Sequence, residues 1–312
     1  MKINPNYRAL TLARFFFGTL LILKSATPAL ADEVTIKHQG LTLNGELRVA
    51  DNRGLSAGAV LLVHGHLQHN RMEIIESTQN LLFENGINSL AINLSYGIDN
   101  RHGQYDCMSP HRYTYASLIS EIVAWVDWLE PRTKSIVLLG HSLAANWVMA
   151  ATTQANNTLI NGVVLMAPNT SGYAIQTSAY ETRYKVSLPP LLTKAKDLVD
   201  EGKGEHLLEL DVLLCPRTKV SAASFYDFFR DNPVRNDLIR FLQQSGAPVL
   251  VVAASADERQ PNVAAYVRGA VDGQRIRLFV VENAGHFFRD LNLEDAIDEI
   301  VPFVEEVANQ PD

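Results

Sequence analysis

A run of apolar residues from Ser135 to Leu139 ends in Gly140-His141-Ser142-Leu143-Ala144 and passes directly into a small-residue helical run through Trp147 to Ala151. A serine set between a buried strand and a helix in one abrupt turn must take up a strained backbone conformation. Such a turn closes only if the residues two before and two after the serine are small. Gly140 and Ala144 meet that demand. The geometry lifts the Ser142 hydroxyl clear of the sheet and aims the first NH groups of the helix at whatever the hydroxyl attacks. Ser142 is therefore the candidate nucleophile.

The chain on either side alternates between strand and helix patterns. Val34 to His38 and Leu41 to Val49, around Gln39-Gly40, alternate apolar with polar residues and predict an antiparallel hairpin. Continuous apolar runs at Ala59 to Val63, Ser89 to Leu94, Ser135 to Leu139, Gly162 to Met166, Pro248 to Ala253 and Arg277 to Val281 are what strands covered on both faces require. Helical patterns fall between them, at Met72 to Phe83, Tyr113 to Leu129, Asn262 to Gly269 and Leu293 to Val307. The expected architecture is a mostly parallel, doubly wound α/β sheet of about eight strands with an antiparallel hairpin at its start. Between Pro168 and about Asp237 the alternation breaks down, leaving a helical run near Lys194 to Gly202 and the aromatic group Phe225, Tyr226, Phe228 and Phe229. An insertion there, at about 169–237, lies over the carboxyl ends of the strands and reads as a cap. The aromatics are expected to pack it onto the core, with the lining of an acyl pocket as the alternative.

The N-terminus differs from the rest. Lys2, Arg8 and Arg14 precede the apolar stretch Phe15 to Leu23, and Ala29-Leu30-Ala31 offers small residues at the spacing of a signal-peptidase site. Residues 1–31 are therefore expected to be a cleaved signal peptide, with 32–312 exported to a periplasm or secreted. The apolar stretch is too short for a stable span, and an uncleaved amphipathic anchor is the alternative. Loss of Lys2, Arg8, Arg14 and Lys24, with no acid among them, takes the net charge from -7 to -11. An acidic surface without basic runs argues against nucleic acid and anionic lipid as partners. In an oxidising compartment Cys107 and Cys215 form either one disulfide or two buried thiols, and spacing does not decide between them.

The stretch around Ser142 resembles the nucleophile elbow of the α/β-hydrolase superfamily, Gly-x-Ser-x-Gly, with Ala144 in the last position. That resemblance implies partners in the order Ser, acid, His. Asp257 follows the Val249 to Ala253 run, with Glu258 beside it as the second choice. His286 follows Leu278 to Val281 in Asn283-Ala284-Gly285-His286, similar to the histidine loop of the superfamily. For the oxyanion the expected backbone donors are the NH of Leu143 and that of His66, with Leu67 the alternative, because His64-Gly65-His66-Leu67 resembles the superfamily's oxyanion loop. Leu94 through Cys107 is similar to a Gly-rich loop of uncharacterised bacterial serine hydrolases. His64, His66 and His69, and the group His102, Asp106, Cys107 and His111, match no metal-ligand spacing and read as polar lining.

These residues imply a serine hydrolase acting on a small-molecule carboxylic ester through an acyl-enzyme, with no cofactor. The same three side chains serve every acyl transfer. Amidase, peptidase and thioesterase chemistry, and a non-catalytic binding protein of the same fold, are the alternatives.

Overall fold

The computed structural model describes residues 31–50, 54–155 and 159–309, so the expected signal peptide lies, apart from Ala31, outside the described residues. The chain opens with strands β1 (Asp32–His38) and β2 (Leu41–Arg48), then β3 (Ala59–Val63), α1 (Glu73–Glu84), β4 (Ser89–Asn93), α2 (Tyr115–Leu129), β5 (Ile136–His141), α3 (Leu143–Gln154) and β6 (Ile160–Met166). An inserted part follows, with α4 (Tyr173–Tyr184), α5 (Leu188–Asp200), β7 (Leu207–Val212), β8 (Cys215–Ser221), α6 (Ala222–Phe229), α7 (Pro233–Asn236) and α8 (Leu238–Gln244). The chain then returns through β9 (Val249–Ala254), α9 (Val263–Val267), β10 (Ile276–Val281) and α10 (Leu291–Ala308).

Eight strands make one sheet in the order β1-β2-β4-β3-β5-β6-β9-β10. The pairings β1 with β2 and β2 with β4 are antiparallel, and those from β4 to β10 are parallel. Period-two alternation divides the central strands between two cores. Val60, Leu62, Val137, Leu139, Val164 and Met166 pack with Ile74, Ile75 and Leu82 of α1 and with Ile297, Ile300 and Phe303 of α10. Leu61, Val63, Leu138, Leu165 and Val251 pack with Leu118, Ile122 and Trp125 of α2 and with Trp147 and Val148 of α3. Both faces are thus dry, which is why these strands read as unbroken apolar runs.

The winding reverses at β3. The connection through α1 places β4 on one side of it, and the return through α2 places β5 on the other. Ligand sites in open α/β sheets lie at the carboxyl ends of the strands at such a reversal. Val63 pairs with Gly140 in register, so His64-Gly65 and His141-Ser142 leave the sheet side by side.

The insertion is more regular than its sequence suggests. α5 begins at Leu188, several residues before the helical run expected near Lys194, because Pro189 and Pro190 occupy its first turn, where a missing NH costs no hydrogen bond. β7 and β8 form an antiparallel hairpin that was not expected, set between α5 and α6 in the chain and packed against α6. Phe225, Phe228 and Phe229 are buried; the rings of Tyr180, Phe225 and Phe229 pack together within the insertion, and Phe228 is the one of the three whose ring meets rings outside it, 5.5 Å from that of Tyr115 and 4.8 Å from that of His66. Cys107 and Cys215 are disulfide-bonded, with Cα atoms 5.2 Å apart, which decides the question left open by spacing. The bond ties the loop after β4 to β8. Thr218 Oγ1 donates to the Cys107 carbonyl at 2.7 Å, and the His111 NH donates to the Lys219 carbonyl at 2.8 Å.

Candidate active site

Ser142 precedes α3 with φ 60° and ψ -130°, a region that L-residues enter at a cost of about 1–3 kcal/mol. Its neighbours show why the turn needs small residues. A methyl group on Gly140 would stand 2.5 Å from the Ala144 carbonyl oxygen and 2.7 Å from the Ala145 Cα. Backbone occupies that space, so no side chain can move aside. Ala144 is fully buried, and its single methyl group fits.

His286 and Asp257 lie more than a hundred residues further along and meet Ser142 here. His286 Nδ1–H donates to Asp257 Oδ2 at 2.8 Å, which leaves Nε2 of the neutral ring free to accept the Ser142 hydroxyl at 3.0 Å. The other carboxylate oxygen, Asp257 Oδ1, accepts the NH groups of Arg259 at 2.7 Å and Gln260 at 2.8 Å. Burial acts to raise the Asp257 carboxyl. The hydrogen bonds from His286, Gln260 and Arg259 outweigh it and hold the group below the usual carboxylate value. Glu258, the second choice for the acid, points outward with its side chain 65% exposed and pairs with Arg259.

Two loops carry these groups and are joined to each other. The Ala256 NH donates to the Ala284 carbonyl at 2.9 Å, and the Asn283 NH to Ser255 Oγ at 2.8 Å. His141 holds the histidine loop from below, donating from Nε2 to the His286 carbonyl at 2.9 Å. Burial, with the neighbouring His286, pushes the His141 imidazole down to about 3, so it serves as a neutral donor.

The expected oxyanion donors are placed as follows. A methyl group on Gly65 would lie 3.4 Å from the Ser142 Cβ, so the His64 to Leu67 loop runs directly alongside the candidate nucleophile. Leu143 opens α3, where the first NH groups have no partner within the helix. The Leu67 NH is engaged by the Tyr96 hydroxyl at 2.9 Å, whereas the His66 NH has no acceptor among the described residues. Of the two alternatives, His66 is the one left free to donate.

The remaining histidines have identifiable partners. His64 is buried, donates from Nδ1 to the Gly65 carbonyl and accepts the Leu94 NH at Nε2, and burial together with Arg101 lowers its pKa well below the usual value. His102 pairs with Glu33, and Cys107 is taken up in the disulfide. Among the described residues, no group of three or more His, Cys, Asp or Glu is arranged to hold a metal ion.

Sequence reading missed the supporting residues. Arg101 donates to the carbonyls of Leu94 and Gln68 and to Asn93 Oδ1, fixing the loops after β3 and β4. Asn146, one turn after Ser142 on α3, donates to the Asn169 carbonyl at 3.1 Å and accepts the Asn169 NH at 3.1 Å. Asn169 Oδ1 in turn accepts from Gln260, whose NH holds Asp257. An asparagine one helical turn beyond an elbow serine is the signal that could have pointed to this network. A hollow of about 540 Å³ opens between α1 and the start of α10, but its lining includes neither Ser142 nor His286.

A strained serine, a histidine and a buried carboxylate are thus linked by hydrogen bonds at the switch point of a doubly wound sheet. The chain belongs to the alpha/beta hydrolase family, whose model matches residues 60–303. Among solved structures it is similar to Est1E from Butyrivibrio proteoclasticus, with 18% identity, a TM-score of 0.62, and coverage of 89% of this chain and 99% of that one. The same protein with ferulic acid bound gives 20% identity, a TM-score of 0.63, and coverage of 89% and 100%. The Pyrococcus furiosus esterase PF2001 gives 16% identity, a TM-score of 0.58, and coverage of 88% and 90%. No curated protein sequence matches the chain.

Proposed function

We propose that this α/β hydrolase is an exported serine hydrolase that cleaves a carboxylic ester, and that Ser142, His286 and Asp257 carry the reaction. One observation carries the reading: the unbroken hydrogen-bonded chain from the Ser142 hydroxyl through His286 to Asp257. In the proposed sequence Ser142 Oγ attacks the ester carbonyl carbon while His286 Nε2 takes its proton. Asp257 keeps the imidazole in the required tautomer and stabilises the imidazolium. The oxyanion is received by the NH groups of Leu143 and His66. Collapse expels the alcohol, which takes the proton from His286 and leaves an acyl group on Ser142. Water, deprotonated by the same imidazole, then releases the acid and restores the serine.

The fold shared with the Pyrococcus furiosus esterase supports ester chemistry as the first choice among acyl transfers. Export is supported by the Cys107–Cys215 disulfide, since such bonds persist in oxidising compartments. The test is turnover of p-nitrophenyl butyrate by the chain and by Ser142→Ala, together with labelling by a fluorophosphonate probe. The variant should lose about 10⁶-fold in kcat and all labelling. Retained turnover or retained labelling would overturn the proposal.

A further inference from the structure

Two arginines sit within the folded chain near the site, and they differ in one respect. Arg101 is saturated: Nε, Nη1 and Nη2 reach the carbonyls of Leu94, Gly103 and Gln68 and the Asn93 side chain. Arg235, on α7, is not. Its Nη1 donates to the Phe228 carbonyl at 3.3 Å, and its other polar neighbour is the Tyr115 hydroxyl. No ion pair among the described residues includes it, in a chain whose 34 acidic residues outnumber its basic ones. Tyr115, whose buried hydroxyl interacts with the guanidinium both through charge and through a side-chain hydrogen bond, is the titratable group that bears on it. A partly exposed guanidinium with one carbonyl, one hydroxyl and no carboxylate around it has donors to spare, and a planar anion is the ligand its fork fits.

Its position ties it to the site. The Arg235 carbonyl accepts from Asn146, one turn beyond Ser142, and from Asn169 at 2.8 Å. Its guanidinium lies over the Phe228 ring, 4.5 Å from the centroid, and the same ring lies 4.8 Å from that of His66, the proposed oxyanion residue. The His66 imidazole, kept neutral chiefly by burial, also feels the Arg235 charge. Asp257, by contrast, has His286, Gln260 and Arg259 around it. The leaving alcohol must lie within reach of His286, which protonates it. Arg235 belongs instead to the wall formed by His66 and Phe228.

We infer that Arg235 is a specificity-determining residue that binds a carboxylate at the far end of the acyl group, so that the preferred substrates are half-esters of short dicarboxylic acids. The inference rests on the ester-hydrolase reading above. It adds a substrate class set by one charge: a guanidinium that gains a carboxylate partner when such an acyl chain is bound.

The test compares monoethyl glutarate with ethyl valerate, which match in acyl length and differ in the terminal carboxylate, by titration of released acid. The wild-type chain should favour the glutarate ester at least tenfold in kcat/KM. Arg235→Gln should lower that ratio at least tenfold, chiefly through KM, and Arg235→Lys should restore part of it. The wild-type preference needs no variant, so a folding failure of either substitution leaves the inference decidable. Calorimetry provides an arm independent of turnover: Ser142→Ala should bind monoethyl glutarate, and the Ser142→Ala/Arg235→Gln double variant should not. If neither ester is turned over, the hydrolase reading fails while the binding pair still decides the carboxylate site. Equal kcat/KM for the two esters in the wild type would overturn the inference. So would a parallel fall for both in Arg235→Gln, or binding that is indifferent to Arg235.

Discussion

Replacing both Cys107 and Cys215 by alanine should destabilise the protein through the cap. The bond closes a loop with a sequence separation of 108. Chain-entropy arithmetic for a loop of that size gives about 5 kcal/mol at 25 °C, through the freedom returned to the unfolded chain. Cys215 is fully buried, so truncation to alanine adds a small void worth about 1 kcal/mol. The unfolding entropy of a chain this long is about 0.6 kcal/mol per kelvin, so the loop term alone corresponds to a Tm lower by about 8 °C. The loss should also be local. Without the bond, the β7–β8 hairpin is held to the loop after β4 by the Thr218 hydrogen bond and the main-chain bonds of His111. Hydrogen exchange should therefore accelerate over 207–221 and 103–113 before the central strands β3, β5 and β6 respond. Calorimetry and exchange mass spectrometry on the double variant give both readouts. A Tm within about 2 °C of the wild type, or loss of protection starting in the central sheet, would refute this account of the bond.

Two further predictions concern the site. Asp257→Asn keeps the shape of the side chain but removes the acceptor that sets the His286 tautomer, and kcat on a short ester should fall by about 10⁴-fold; a loss smaller than tenfold would mean that the carboxylate does not orient the base. His141→Gln should make stability less sensitive to acid. The His141 imidazole sits near 3 in the folded chain and near 6.5 in the unfolded one, so as pH falls from 6.5 towards 3 the unfolded state takes up a proton that the folded state refuses. Folding free energy should therefore drop by up to about 1.4 kcal/mol for each pH unit on this residue's account, and urea titrations from pH 6.5 to 4 should show a shallower slope in the variant. Identical slopes would show that His141 does not titrate between the two states.

The sheet was legible because its strands are buried on both faces. Ala59–Val63 and Val249–Ala254 have no wet side, so they read as unbroken apolar runs whose neighbours had to be helices. The elbow was legible for a related reason: the space between Gly140 and the Ala144 carbonyl admits no side chain, and that exclusion is written as small residues around Ser142. Asp257 and His286 could be found because each leaves the carboxyl end of a strand, where the sheet delivers its loops to one rim. The cap was not legible to the same degree. Its elements are short, each hides only one face, and the prolines that open α5 read as loop when seen apart from the helix they start.

Sequence by itself therefore determined the order of strands and helices in the main sheet, the strained serine and the two residues that complete its hydrogen-bonded chain, since all of these depend on burial patterns and chain order. Tertiary structure decided the rest. Which loop NH stays free depends on the Tyr96 hydroxyl reaching Leu67 and leaving His66 unpaired. The joining of Cys107 to Cys215 depends on the cap hairpin descending onto the loop after β4. Arg235, in a polar stretch between Asp231 and Asp237, looks like a solvated charge until packing brings it onto Phe228 and leaves both acids elsewhere. A charge acquires its meaning from the partners that surround it, and those partners are assembled only when distant segments meet.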